Sequence, residues 1–342
     1  MPLNQDLSEC QIIAEVAQAH DGSLGSAHAL IDAAARGGAH AVKFQIHIAD
    51  AESTREEQWR IPFSRQDASR FAYWKRMEFS EDQWLGLRGH AAQAGLAFVV
   101  SAFSLEAVEL GARIGVDFWK IASGELGHRR LLDAIFGQPE PVIISTGMSD
   151  WLEIAQVVDL ARASQKSFAL LQCDTQYPSP PEAWGLNVID ELRTRFSCPV
   201  GLSDHSGDIY AGLAAVALGA TLLEVHLALS KEAFGPDVPA SLTPAQLSTL
   251  SEGVRQLVLA RTHLIDKDKN ALKLAEVRAK FSRSVALRQP LPAGSILRPE
   301  HLTLKKPAGG FSEADLPALL GRTLASDLPA DVLLRETHLL PL

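Results

Sequence analysis

Eight times along the chain a short apolar run of strand length is followed by a stretch with helical spacing, and this recurrence restricts the fold more than any other feature. The runs fall at 11–16, 40–45, 96–101, 117–122, 141–146, 168–173, 200–203 and 221–227. Such alternation builds a parallel sheet covered by helices, and eight units are the number that closes a (β/α)8 TIM barrel. Punctuation supports it. Ser80 with Gln83 predicts a capping box, Thr243-Pro244 predicts a capped helix with proline in its first turn, and Gly37-Gly38, Gly95, Gly115 and Gly219 fall where helices should end. The predicted class is α/β, with a barrel at 1–260, a mixed-charge linker at 261–281 and a small β-rich domain at 282–342, where short strands and prolines take over.

The rhythm breaks once, at 49–77, a charged insertion carrying Trp59, Phe63, Phe71, Tyr73 and Trp74. Two readings stay open for it: an element covering a substrate, or a surface excursion with a few packed aromatics.

Barrel enzymes work at the carboxy-terminal ends of their strands, so those positions hold the candidates. They are polar throughout: Glu15; Lys43 and Gln45; Ser101; Lys120, Ser123 and Glu125; Ser145; Cys173, Thr175 and Tyr177; Ser203, Asp204 and His205; Glu224 and His226. A lysine inside a barrel mouth is costly unless it meets an anion. Lys43 and Lys120, with Ser101, Ser123, Ser145 and Ser203, suit a ligand carrying a phosphate and a carboxylate. Alternatively, one lysine forms a Schiff base, as in some barrel aldolases. A third reading is a barrel that binds carbohydrate without catalysis. His205 and His226 lack the cysteines or third histidine of a closed zinc site, but an open site suits Mn²⁺ or Mg²⁺. Asp204 and Glu224 are expected to orient a ligand's second nitrogen or to cap a turn.

Composition narrows the remaining classes. A formal charge of −9 argues against a nucleic-acid partner. No apolar run reaches the roughly 18 residues that cross a bilayer, and the amino terminus lacks a basic region followed by an apolar core. The three cysteines, Cys10, Cys173 and Cys198, are too scattered for a disulfide framework, so a cytoplasmic protein is expected. Dinucleotide, P-loop, zincin and nucleophile-elbow signatures are missing.

Taken in order, several motifs together resemble the sialic acid synthase family. They are Ile-Ala-Glu-Val from Ile13, Ala-Val-Lys-Phe-Gln at 41–45, Lys-Ile-Ala-Ser-Gly-Glu-Leu at 120–126, Ser-Thr-Gly-Met at 145–148, Tyr-Pro-Ser-Pro at 177–180, Gly-Leu-Ser-Asp-His-Ser at 201–206, Glu-Val-His at 224–226 and Gly-Pro-Asp at 235–237. The stretch from Arg283 onward is similar to that family's antifreeze-like (SAF) domain. The resemblance implies metal-dependent condensation of phosphoenolpyruvate with an N-acyl hexosamine-type aldehyde, giving a nonulosonic 2-keto sugar acid and phosphate for surface polysaccharide. It implies that Lys43, Ser101, Lys120, Ser123, Ser145, Thr175 and Ser203 hold phosphoenolpyruvate and that His205 and His226 bind the metal. By the same resemblance Glu15 would lie near the metal and reaction centre, while Gln45, Glu125, Tyr177 and Asp237 would face the sugar. It also implies a domain-swapped homodimer in which a small-domain residue, Lys306 here, reaches the partner's sugar.

The chain departs from the family pattern at Ala19, Asp21, Ser104 and Thr175, and at Lys306, where an arginine is usual. Those departures resemble the branch of spore-coat polysaccharide protein E.

Overall fold

A computed structural model describes residue 3 and residues 8–341. Eight parallel strands close into a barrel: β1 (Gln11–Glu15), β2 (Ala41–Ile46), β3 (Ala97–Ala102), β4 (Phe118–Ile121), β5 (Val142–Ser145), β6 (Phe168–Cys173), β7 (Val200–Asp204) and β8 (Leu222–His226). All eight coincide with the expected runs to within two residues.

Side chains on a strand alternate between faces, and this period of two divides the work here. Outward residues such as Ile12, Val42, Phe44, Val100 and Trp119 pack beneath the helices in the main core. Inward residues near the strand starts, Ile13, Ala41, Val99, Phe118, Ile143, Ala169, Leu171 and Leu222, form a separate apolar plug that fills the barrel. Two residues further along most of the strands the inward positions turn polar: Glu15, Lys43, Ser101, Lys120, Ser145, Ser203 and Glu224. Register then levels them. Glu15 is opposite Lys43 and His226, Ser101 is opposite Gln45 and Lys120, and Ser203 is opposite Cys173 and Glu224.

The expected helix signals operate. Ser80 and Gln83 form a reciprocal capping box, as do Thr243 and Gln246, while Gly38, Gly95, Gly115 and Gly219 adopt positive φ. The insertion after β2 folds as two helices, Ala49–Glu52 and Arg70–Met77, around a cluster of Ala49, Tyr73, Trp74 and Met77 backed by Trp59, Phe63 and Phe71.

Residues from Leu264 onward form a second compact unit. Its first part, read as a solvated linker, is exposed but helical, at Lys267–Lys273 and Ala275–Phe281; Asp266 caps the first helix through the amides of Asp268 and Lys269. Beyond it, β9 (Ser284–Leu287) pairs antiparallel with β10 (Leu302–Lys305) over a small core of Val285, Leu287, Leu297, Leu302, Leu324 and Leu334.

Close packing of β7 on β8 depends on Gly201, where a Cβ would lie 2.1 Å from the Leu222 carbonyl oxygen and 2.8 Å from a Leu171 methyl. Gly201→Ala is expected to lower the unfolding free energy by about 3 kcal/mol in urea titration. Gly86→Ala, in an exposed helix with open space around it, is expected to leave stability unchanged or raise it by up to about 1 kcal/mol.

Candidate active site

The floor of the site is a layer of four buried charges. Lys43 Nζ lies 2.6 Å from Glu15 Oε2 and 3.5 Å from Glu224 Oε1. Lys120 Nζ lies 3.6 Å from the same Glu224 oxygen. Hydroxyls complete the layer: Lys43 donates to Ser101 Oγ (3.3 Å), Lys120 to Ser145 Oγ (2.8 Å), and Ser203 Oγ to Glu224 Oε1 (3.3 Å). Glu224 therefore serves neither expected role. It orients no histidine and caps no turn, and instead bridges both lysines because its inward position on β8 faces them. Asp204 does cap a turn, accepting from the Ser206 amide at 2.8 Å.

Burial and pairing pull these groups in different directions. Burial works against the charge on Lys43, but Glu15 and Glu224 outweigh it and the ammonium is held above its usual pKa. Lys120 has only Glu224 close by, so burial wins and its pKa falls. Burial opposes ionisation of Glu224, yet Lys120 and Lys43 hold it below the usual carboxylate range. Glu15 goes the other way, raised by burial and by Glu224 despite Lys43.

Beside this layer stand His205 and His226, ring centroids 5.3 Å apart. His205 Nδ1 is bonded to the Asp174 carbonyl oxygen, which places the proton there and leaves Nε2 facing Tyr177 Oη at 2.9 Å and Ser203 Oγ at 3.4 Å. His226 Nδ1 is buried without a hydrogen-bond partner. Burial lowers His205 to about 4 and His226 well below its ordinary value, so both rings are neutral, the form that binds metal. The pair fits a divalent ion. Among the described residues no set of three His, Cys, Asp or Glu converges, so such an ion would draw most of its ligands from water and substrate oxygens.

Above the floor opens a cleft of about 840 Å³. Gln45, Ser123, Glu125, Thr175, Tyr177 and Asp237 all line it, as does the insertion through Trp59, Arg60, Phe63, Tyr73 and Trp74. The insertion is thus a wall of the cleft rather than a surface excursion. Burial and Glu15 push the Asp237 carboxyl up to about 6, and burial also raises Glu125. Arg60 stacks on Tyr177 at 4.6 Å. Lys306 is not in this group: it lies exposed in the second unit, its ammonium 5.0 Å from the Phe281 ring.

Two departures from the family pattern find local partners. Asp21, at positive φ, receives Arg76 Nη1 at 2.8 Å, and Ser104 caps the helix Leu105–Ile114 through the Ala107 amide. Sequence reasoning overlooked Gln18, His47 and Glu52, which surround Gln45. A signal existed for one of them, since Lys43, Gln45 and His47 continue the inward alternation of β2 past its end.

Removing one carboxylate from the floor should expose its cost. Glu224→Leu is expected to lower stability by about 3 to 5 kcal/mol in chemical denaturation, because it leaves Lys120 buried without a counter-charge, whereas the double variant Lys120→Met/Glu224→Leu should recover most of that loss.

Comparison with known proteins agrees with this architecture. The NeuB family model matches residues 30–266 and the SAF domain model residues 282–340. The chain is 33% identical over 332 residues to the N,N'-diacetyllegionaminic acid synthase of Campylobacter jejuni, a match spanning 95% of this chain and 98% of that one. It is 32% identical over 334 residues to the N-acetylneuraminate-9-phosphate synthase of Homo sapiens, spanning 96% and 92%. The crystal structure of spore coat polysaccharide biosynthesis protein spsE from Bacillus subtilis superposes with a TM-score of 0.64 at 29% identity, over 98% of this chain and 96% of that one. The chain belongs to the NeuB family, as an enzyme of the sugar-acid synthase type that carries an SAF domain.

Proposed function

We propose that the barrel joins phosphoenolpyruvate to the open-chain aldehyde of an N-acyl amino sugar and releases phosphate. One observation carries this reading: two buried lysines on β2 and β4, bonded to Ser101 and Ser145 and bridged by Glu224, in a layer joined to the cleft of about 840 Å³ through Gln45, a cleft-lining residue that donates to Glu15. In the reaction, C3 of phosphoenolpyruvate forms the new bond to the aldehyde carbon, whose oxygen takes the carbonyl electron pair and a proton. Water adds at C2 and gives up one proton, and phosphate then departs with the electrons of the C–O bond as the C2 hydroxyl loses its remaining proton and becomes the ketone.

Lys43 and Lys120 hold the carboxylate and phosphate, replacing the hydration that a multiply charged ion loses on entering the barrel. Ser101, Ser123, Ser145, Thr175 and Ser203 supply hydroxyl donors around them. A divalent ion held by His205 and His226 would supply Lewis-acid polarisation of the aldehyde. Glu15 Oε2, beside Lys43 and with its pKa raised, suits a group that takes the proton lost by the attacking water. Gln45, Glu125, Tyr177 and Asp237 face the sugar from the cleft.

Relatives are named for different products, N,N'-diacetyllegionaminic acid and N-acetylneuraminate 9-phosphate, so a panel of sugars is needed. Phosphate release is expected with Mn²⁺ and at least one N-acyl hexosamine or its 6-phosphate. Chelation should abolish it, and Lys43→Met or Lys120→Met should lower kcat by about 100-fold or more. Borohydride with pyruvate should leave the protein unlabelled. Labelling, with activity that survives chelation, would favour the Schiff-base aldolase instead.

The reading extends to a cytoplasmic homodimer in which Lys306 of a second copy meets the sugar's acyl group. It is supported by the position of Lys306, exposed in a unit separate from the barrel. Sedimentation is expected to give twice the chain mass, and Lys306→Ala should raise KM for the sugar while leaving KM for phosphoenolpyruvate unchanged.

A further inference from the structure

Three buried or half-buried side chains at the cleft, Gln18, His47 and Glu52, have no part in the scheme above. His47 follows β2, and its ring is held flat between Trp74 and Phe103, with centroids at 4.1 and 4.7 Å and interplanar angles of 20° and 5°. Oxygens face both its nitrogens: Glu52 Oε1 lies 2.7 Å from Nδ1, and Gln45 Oε1 lies 3.0 Å from Nε2. Gln18 Nε2 donates to the same Gln45 oxygen at 2.7 Å. The other end of that amide, Gln45 Nε2, donates to Glu15 Oε1 at 2.7 Å. The side chains of His47 and Glu52 are only 7% and 8% exposed, and Glu52 Oε2 has no hydrogen-bond partner.

An amide has one donating and one accepting end, so its orientation follows from what each end meets. Glu15 requires the NH₂ of Gln45, which turns Oε1 toward His47 and Gln18. Gln18 Nε2, which donates to that oxygen and lies 3.4 Å from His47 Nε2, and the ring beside it hold the amide in that sense, while Glu52 faces the ring's Nδ1 and fixes its orientation. If His47 lost its nitrogens, the amide would rotate more freely and Glu15 would lose its fixed partner opposite Lys43. A packing role for the ring would need only its flat face. Two carboxylates and two amides arranged end to end around it need its nitrogens.

We infer that His47 and Glu52 form a positioning dyad that fixes the Gln45 amide and, through it, the carboxylate of Glu15 for the condensation. The inference rests on the synthase reading and adds to it residues that touch neither phosphoenolpyruvate nor the metal-binding histidines. Removing an outer hydrogen-bond partner that orients an active group typically changes activity by about 10- to 100-fold.

Steady-state kinetics on the full-length protein, with the sugar that gives the fastest phosphate release, decide the matter. His47→Phe keeps the flat ring between Trp74 and Phe103 but removes both nitrogens. It is expected to lower kcat by about 10- to 100-fold with KM for phosphoenolpyruvate within about threefold of wild type. His47→Gln, which returns a donor toward Gln45, should regain part of the loss. In a Gln45→Leu background, His47→Phe should cost nothing further, because the amide through which it acts is gone. If His47→Phe melts early, Glu52→Gln, which keeps the volume and removes the charge, is to show the same fall in kcat.

Wild-type turnover with kcat unchanged in both His47→Phe and Glu52→Gln would overturn the dyad alone. Equal losses from His47→Phe with and without Gln45 would also overturn it. No phosphate release by wild type with any sugar would overturn the synthase reading, and the dyad with it.

Discussion

The site depends on the mutual compensation of Lys43, Lys120, Glu15 and Glu224 inside the barrel. Two ammonium groups and two carboxylates share one buried layer, with Glu224 Oε1 between both lysines. Burying any of these ions alone would cost several kcal/mol. Together they are tolerated, and each lysine also touches a serine hydroxyl, the combination on which the proposed anion site rests. The imbalance within it is informative. Two carboxylates hold Lys43 above its usual pKa, burial lowers Lys120, and burial raises Glu15.

That layer exists because of the period of two. Positions such as Ile13, Val99, Phe118 and Ile143 seal the barrel from below, and the next inward residues, Glu15, Ser101, Lys120 and Ser145, are polar and buried. Strand register then brings residues far apart in sequence to one height, such as Glu15 beside His226 and Ser101 beside Lys120. The apolar plug excludes water from one side, so charge at the floor acts in a low-dielectric setting where each contact with substrate counts for more than it would in solvent.

Much of this could be read from the chain because the determinants are local. Strand bodies are apolar runs bounded by glycine or capping residues, which is why all eight lie where periodicity puts them. Polar residues at the strand ends identified the face of the barrel. Less legible was what those residues do for one another. Glu224 looked like a partner for a histidine beside it in sequence, but its bridging of Lys43 and Lys120 follows from the barrel's closure. His47 was visible in principle as the third inward step after Lys43 and Gln45, yet its bonds to Glu52 and Gln45 depend on an insertion whose path no pattern specified. The helices at Lys267–Lys273 and Ala275–Phe281 escaped notice for another reason: they bury nothing, so no apolar stripe marked them.

The four-charge floor is proposed to be an anion site for phosphoenolpyruvate. Calorimetric titration of phosphoenolpyruvate into the Mn²⁺-loaded protein, without sugar, tests it most directly. The account expects one saturable site per chain, weakened at least about tenfold in Lys120→Met, the loss of one charge-assisted contact. Absence of binding, or equal affinity in Lys120→Met, would contradict it.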